Sequence, residues 1–308
     1  MRSDFYYDSC GYGKIHACRW TGAGPAVGVV QIVHGIAEHV DRYTEFAEYL
    51  NSLGYVVVAE DHMGHGLSAG SEKELGYFHG GWFAAIEDTC RLIDLTKKDY
   101  PQLPYFLFGH SMGSFMTRSI LARYPNLEIA GAVICGTGWL EPPILQGGLA
   151  LCKLVCRKDG EKVPSPLVQQ VAFGGYNKKV EHPKSEFDWL SRDRARVADY
   201  EQDPLCGFVV TPGLFRDMLT GVRFNQKQAN LANMNRDLPV FFIAGGDDPV
   251  GNYGRGVEKS AKAFRQAGMK QVSVRIYPLC RHEILNEINR KEVYEDVAQW
   301  LAPLAMKA

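Results

Sequence analysis

Pro104-Tyr105-Phe106-Leu107-Phe108-Gly109-His110-Ser111-Met112-Gly113 begins as an apolar run, breaks at a Gly-x-Ser-x-Gly pentapeptide and passes into the helix-like stretch Ser114 to Arg123. That succession reads as a strand, a sharp turn and a helix, with Ser111 at the tip of a nucleophile elbow. The glycines have a mechanical role. A serine held on a strained turn needs neighbours without a Cβ, so that helix and backbone can approach closely. On this reading Ser111 points into solvent above a sheet. A second match, Gly66-Leu67-Ser68-Ala69-Gly70, follows the loop Asp61-His62-Met63-Gly64-His65 and leads into Ser71-Glu72-Lys73-Glu74. No strand feeds it and no matching helix follows, so context selects Ser111 over Ser68.

Outward from the elbow, strand-like runs recur at Lys14 to Trp20, Val27 to His34, Tyr55 to Ala59, Ala130 to Cys135, Val240 to Ala244 and Val272 to Tyr277. Most are continuously apolar, as in strands buried on both faces of a parallel sheet. Helical patterns lie between them, at Arg42 to Leu53, Trp82 to Asp99, Gly254 to Ala267 and Val293 to Leu301. The expected fold class is α/β, a doubly wound sheet with helices on both faces. Between Cys135 and Val240 the strand rhythm stops for a span far too long for a structureless connection. We read a helical cap there, which divides the chain into a core at 1–136 and 238–308 and an insertion at 137–237. Ile144 to Val155 is almost wholly apolar and ends in Arg157-Lys158, while Asp188 to Tyr200 is strongly charged and expected to be solvated.

Composition narrows the partners. The 308 residues are 46% hydrophobic, with 34 basic and 35 acidic side chains and a net charge of −1, so no basic footprint for nucleic acid exists. The N-terminal residues Met1 to Asp8 have no apolar core of a leader, and no apolar run approaches a bilayer span, so a cytoplasmic location is expected. Eight scattered cysteines without a secretory signal are expected to be reduced.

A serine hydroxyl needs a base within hydrogen-bond reach and a third group to orient that base, in the chain order serine, acid, histidine for this fold class. The strand at Val240 to Ala244 runs into Gly245-Gly246-Asp247-Asp248-Pro249-Val250, and the next runs into Pro278-Leu279-Cys280-Arg281-His282-Glu283. Both loops fall at strand carboxyl ends, where sites assemble in open parallel sheets. His282 is the base, since no other histidine follows the acid loop. Asp248 is favoured as the acid because Pro249 fixes the turn after it, with Asp247 as competitor. The oxyanion requires two backbone donors, read as Met112 N–H and Ile36 N–H in the loop His34-Gly35-Ile36-Ala37-Glu38-His39. His34, Glu38 and His39, and Asp61, His62 and His65, lack a known metal spacing and are read as loop-shaping groups. No dinucleotide or phosphate-loop motif is present, so neither cofactor nor metal is expected.

Together these stretches resemble the bacterial lysophospholipase and monoacylglycerol-lipase-like branch of the α/β-hydrolases, a serine aminopeptidase-type group. The resemblance lies in residues 34–39, 61–68, 109–114, 246–251 and 281–287, and in Ser191-Arg192-Asp193 followed by Asp203-Pro204-Leu205 near the end of the cap. It implies an eight-stranded, mostly parallel sheet, a triad of Ser111, Asp248 and His282 and an oxyanion hole of Ile36 and Met112. It also implies hydrolysis of lipid-type carboxylic esters, monoacylglycerol or lysophospholipid. Ile36-Ala37 departs from the Ala-Gly of vertebrate monoacylglycerol lipases. Substrate contacts are expected from Trp139, Leu140, Ile144, Leu145 and Leu149 of the early cap, with Leu151 and Leu154 beyond. Lys153, Arg157 and Lys158 beside an apolar helix suggest transient docking on a membrane surface. A small-ester carboxylesterase, a proline-type serine aminopeptidase, a haloperoxidase or dehalogenase and a non-catalytic binding protein are the competing readings; a dehalogenase would want Asp where Ser111 stands.

Overall fold

The apolar run before Ser111 forms a strand inside an eight-stranded sheet with helices on both faces. The computed structural model describes residues 1–306. In chain order its strands and helices are β1 (Arg2–Asp8), β2 (Lys14–Trp20), β3 (Gly28–Val33), α1 (Thr44–Ser52), β4 (Tyr55–Glu60), α2 (Gly81–Asp99), β5 (Tyr105–His110), α3 (Met112–Arg123) and β6 (Gly131–Cys135). There follow α4 (Pro142–Asp159), α5 (Pro166–Phe173), α6 (Arg194–Gln202), α7 (Pro212–Asn225), α8 (Gln228–Ala232), β7 (Val240–Gly245), α9 (Arg255–Gln266), β8 (Val272–Tyr277) and α10 (Arg290–Ala305). Strand order is β1-β2-β4-β3-β5-β6-β7-β8; β2 runs antiparallel to both neighbours, and the other adjacent pairs are parallel.

Successive strand residues point to opposite faces, so a strand covered on both sides must be apolar throughout. In β5, Phe106 and Phe108 join Phe46 and Leu50 of α1 and Val297 and Leu301 of α10. Tyr105 and Leu107 join the opposite layer, with Ile93 of α2, Ile120 of α3 and Phe264 of α9. β1 is the strand the pattern did not show. It pairs on one side only and buries Tyr7 alone, so it carries no apolar run.

α4 to α8 occupy the interval between β6 and β7, and α7 roots this segment on the body of the protein by packing on α2, α3 and α4. At Gly221 a Cβ would overlap the Trp82 indole. That indole donates to Ser119 Oγ at 3.1 Å, and Ser119 donates to Asn225 Oδ1 of α7 at 2.7 Å. The solvated character expected of Asp188 to Tyr200 is corrected here. Asp188, Trp189, Leu190, Ser191, Val197 and Tyr200 are buried, and only part of the stretch is helix. Its charges are spent on ion pairs, Arg192 with Glu287 at 2.8 Å and Arg196 with Glu45, which tie the segment down. All eight cysteines are free, and no helix among the described residues is long and apolar enough to cross a membrane.

Candidate active site

Ser111 links β5 to α3 with no intervening loop, at φ 52° and ψ −118°. That left-handed backbone costs a non-glycine residue roughly 1–3 kcal/mol and persists only where its surroundings dictate it. Here the Ser111 amide donates to Cys135 O at 3.0 Å, and Ser114 Oγ donates to Ser111 O at 2.6 Å. Gly113 lets α3 reach the end of β3, since a Cβ there would overlap the Val33 and His34 carbonyls. Gly113→Ala is therefore expected to lose about 3 kcal/mol of stability, read from the urea midpoint. Gly147→Ala is the control: open space surrounds Gly147 on α4, so alanine there should be neutral or stabilising by up to about 1 kcal/mol.

The expectation that Ser111 faces open solvent is corrected. It is buried, 9% exposed, on the floor of a cavity of about 340 Å³. The helical segment before β7 roofs the carboxyl end of the sheet. Ile36, His110 and His282 share this lining, beneath a largely apolar wall that includes Phe173, Trp189 and Phe215.

Asp248 is fully buried after β7, whereas Asp247 is exposed. Asp248 Oδ1 lies 3.0 Å from His282 Nδ1 and accepts from the Val250 amide at 2.8 Å. The separation suits an aspartate–imidazole hydrogen bond, but the ring N–H is aimed off that line, leaving His282 Nδ1 and Asp248 Oδ2 without hydrogen-bond partners. Such bonds commonly tighten only when substrate binds. The His282 ring packs 4.9 Å from that of His110 and 5.1 Å from that of Trp189. At Gly136, φ 60°, a Cβ would come within 3.1 Å of His282 Cε1.

The His34 to His39 loop lies against the elbow: a Cβ on Gly35 would stand 3.1 Å from Ser111 Cβ. The Ile36 and Met112 amides have no hydrogen-bond partner among the described residues. Ala37 sits at φ 55°, its carbonyl accepting from Tyr200 Oη and Gly207 N, both at 2.9 Å. Beneath the loop is a buried charge network. Glu38 accepts from Gly35 N at 2.5 Å and Tyr43 Oη at 2.7 Å, and it stands 3.2 Å from His110 Nδ1 and 3.3 Å from Arg42 Nε. Arg42 also pairs with Glu283, next to His282. Burial alone would push the Glu38 carboxyl up; His110, then Arg42 and Tyr43, outweigh it and hold the group at about 2. Sequence reading missed Arg42, Tyr43 and Glu283 as a unit; the Glu38–Arg42 spacing of four residues is the one local trace of it.

The remaining histidines shape loops. His34 Nε2 accepts from His62 N at 3.0 Å, its ring stacks 3.9 Å from that of His62, and burial lowers its pKa far below the ordinary value. Asp61 accepts from the Val40 and Leu67 amides, both at 2.9 Å. His39 Nε2 stands 2.7 Å from Asp203 Oδ2. Ser68 is tied into the same loop, donating to Asp61 O at 2.6 Å and accepting from His16 N at 2.8 Å.

Of the expected substrate contacts, Leu140 and Ile144 line the cavity, and Gly148 joins them. Trp139, Leu145 and Leu149 are not part of that lining. Ile144 and Gly148 share one face of α4, while Leu145 and Leu149 lie on the adjoining face and pack into the core. Trp139 instead meets Lys259 of α9, whose Nζ lies 5.4 Å from its ring centroid.

A hydroxyl and an imidazole in the lining of one largely apolar cavity, the imidazole beside a buried carboxylate and the hydroxyl next to two unpartnered amides, can carry acyl transfer. Comparisons with known proteins point the same way. The profile of the family described as serine aminopeptidase, S33, matches residues 24–289. A monoacylglycerol lipase of Mycolicibacterium smegmatis is 29% identical over 307 residues, covering 97% of each chain. The monoglyceride lipase of Mus musculus is 27% identical over 90% of this chain and 86% of its own. Among solved structures, a thermostable carboxyl esterase from Bacillus coagulans in complex with glycerol superposes with a TM-score of 0.91, at 29% identity and 99% coverage of both chains.

Proposed function

The chain belongs to the serine aminopeptidase S33 family of α/β-hydrolases, and on that premise we propose that it hydrolyses lipid-type carboxylic esters, monoacylglycerol or lysophospholipid, through an acyl-enzyme on Ser111. The observation that carries the reading is the strained Ser111 in the lining of a largely apolar cavity, with His282 in the same wall and buried Asp248 beside it. His282 takes the Ser111 proton as Oγ attacks the ester carbonyl, Asp248 holds the imidazole tautomer, and the amides of Ile36 and Met112 receive the oxyanion. The alcohol leaves with the proton from His282. Water then repeats the sequence and frees the acid.

In this reading residues 137–237 are a cap with α7 as its foot, and the cavity beneath is the acyl site. At about 340 Å³ it falls at the lower end of small-molecule pockets, which suits a medium acyl chain better than acetate. An aminopeptidase would need a free carboxylate for the substrate amine; Glu38 and Glu283 in this wall are both committed to Arg42, which leaves Glu186 as the lining carboxylate that such a substrate would have to use. Ile144 and Leu154 of α4 and Leu167 and Val171 of α5 are exposed, beside Lys153, Arg157 and Lys158, and support transient contact with a lipid surface.

The test is hydrolysis of p-nitrophenyl esters from acetate to palmitate, and of monoacylglycerols, with and without anionic vesicles. Activity peaking at medium chains and rising with vesicles is expected. A peak at acetate would make the protein a small-ester carboxylesterase, and indifference to vesicles would remove the surface contact.

A further inference from the structure

His282 is joined to the segment before β7 by more than the roof of a cavity. Arg281 Nη1 donates to the carbonyls of Asp188 at 2.6 Å and Ser191 at 3.0 Å. The His282 amide donates to Trp189 O at 3.3 Å and the Glu283 amide to Leu190 O at 2.7 Å. These four bonds lay the Trp189 indole against the imidazole, centroids 5.1 Å apart and planes tilted by 36°. Tyr176 meets the indole edge-on at 4.7 Å and Phe173 stacks on it at 6.4 Å. Trp189 is thus held between His282, Tyr176 and Phe173.

Resting on the reading of His282 as the base, we propose that Trp189 is a positioning residue whose indole stabilises the imidazolium form of His282 during acyl transfer. When Ser111 attacks, the Oγ–H bond breaks, a lone pair on Oγ forms the bond to the carbonyl carbon, the carbonyl π pair moves onto oxygen, and the proton goes to His282. The ring gains one positive charge. A cation within about 6 Å of an indole centroid is attracted by the electron-rich ring face, and most strongly where water is excluded. The other groups around the ring have the following partners, except that His110 Nε2 and Asp248 Oδ2 have none among the described residues. Asp248 faces Nδ1, His110 is held by Glu38 and Tyr43, Glu283 by Arg42, Arg281 by the carbonyls of Asp188 and Ser191, and Tyr176 stands behind the indole.

The experiment compares the pH dependence of kcat/KM for p-nitrophenyl butyrate in the full chain, Trp189→Phe, Trp189→Leu and His282→Ala. Leucine keeps the wall apolar and removes the aromatic face; phenylalanine keeps a weaker one. The acid limb should move to lower pH in the order Trp, Phe, Leu, by about half to 1.5 pH units for leucine, with kcat falling about 3- to 30-fold and KM changing less. An acid limb that stays in place in both variants, whatever happens to KM, overturns the proposal and reduces Trp189 to packing. If leucine prevents folding, the phenylalanine variant alone decides by the same limb. Full turnover in His282→Ala would instead overturn the assignment of the base, a separate failure.

Discussion

Replacing Ser111 with alanine is expected to lower kcat on any carboxylic ester by about 10⁵-fold or more, with the unfolding midpoint moved by less than about 1 kcal/mol. On the proposed mechanism the activity goes because Ser111 supplies the attacking oxygen. The fold stays because the elbow is held through backbone groups, the amide on Cys135 O and the carbonyl under Ser114 Oγ, which alanine keeps. Alanine at φ 52° is no more strained than serine. Matched steady-state rates and urea melts decide it. Ser68→Ala is the counterpart, expected to keep most activity and to lose about 1 kcal/mol with its bonds to Asp61 O and His16 N. The opposite pattern would transfer the nucleophile to the wrong pentapeptide.

Arg42→Ala should be the most destabilising single change near the site, by about 3–5 kcal/mol, because it leaves the buried Glu38 and Glu283 carboxylates without their cation. The pH dependence follows from two shifts. Glu38 is depressed from 4.5 to about 2, so its stabilising contribution is complete above 4.5 and is lost as pH falls from there toward 2. Burial would lower the His110 pKa, but the hydrogen bond and charge of Glu38 raise it above 6.5. Its contribution is therefore complete below 6.5 and is lost as pH rises through the raised value. The network supports the fold most between pH 4.5 and 6.5. Urea midpoints across pH 3 to 9 should trace that plateau, and in Arg42→Ala the loss on the acid side should be smaller and end at higher pH, its onset still near 4.5. A loss below about 1 kcal/mol would mean that the two carboxylates have other partners.

What could be read from the chain was local. The run Tyr105 to Phe108 with its glycine-flanked serine, and the strand ends before Asp248 and His282, each announce themselves within about ten residues, because a buried strand and the turn that stops it are neighbours in sequence. β1 stayed hidden because an edge strand needs little apolar surface. That Leu145 and Leu149 of α4 pack into the core rather than line the cavity was not legible, because periodicity shows which residues share a face, not which neighbour that face meets. Charge around Arg192 and Arg196 looked like solvent exposure because the partners, Glu287 and Glu45, are far away along the chain. The same distance hid the link between Arg42 and Glu283, 241 residues apart, and the placement of Trp189 on His282.

Residues 188–191 and 281–283 come from opposite sides of β7 yet are knitted together by backbone and guanidinium bonds. For protein engineering this sets where a chimaera can be cut. Transplanting α4 and α5 from a relative leaves that seam intact and should change acyl preference alone. A graft whose junction falls between Asp188 and Ser191 would tear it, and would yield an enzyme with a new pocket and a misplaced histidine. Libraries that recombine this region should inherit 188–191 and 281–283 from one parent.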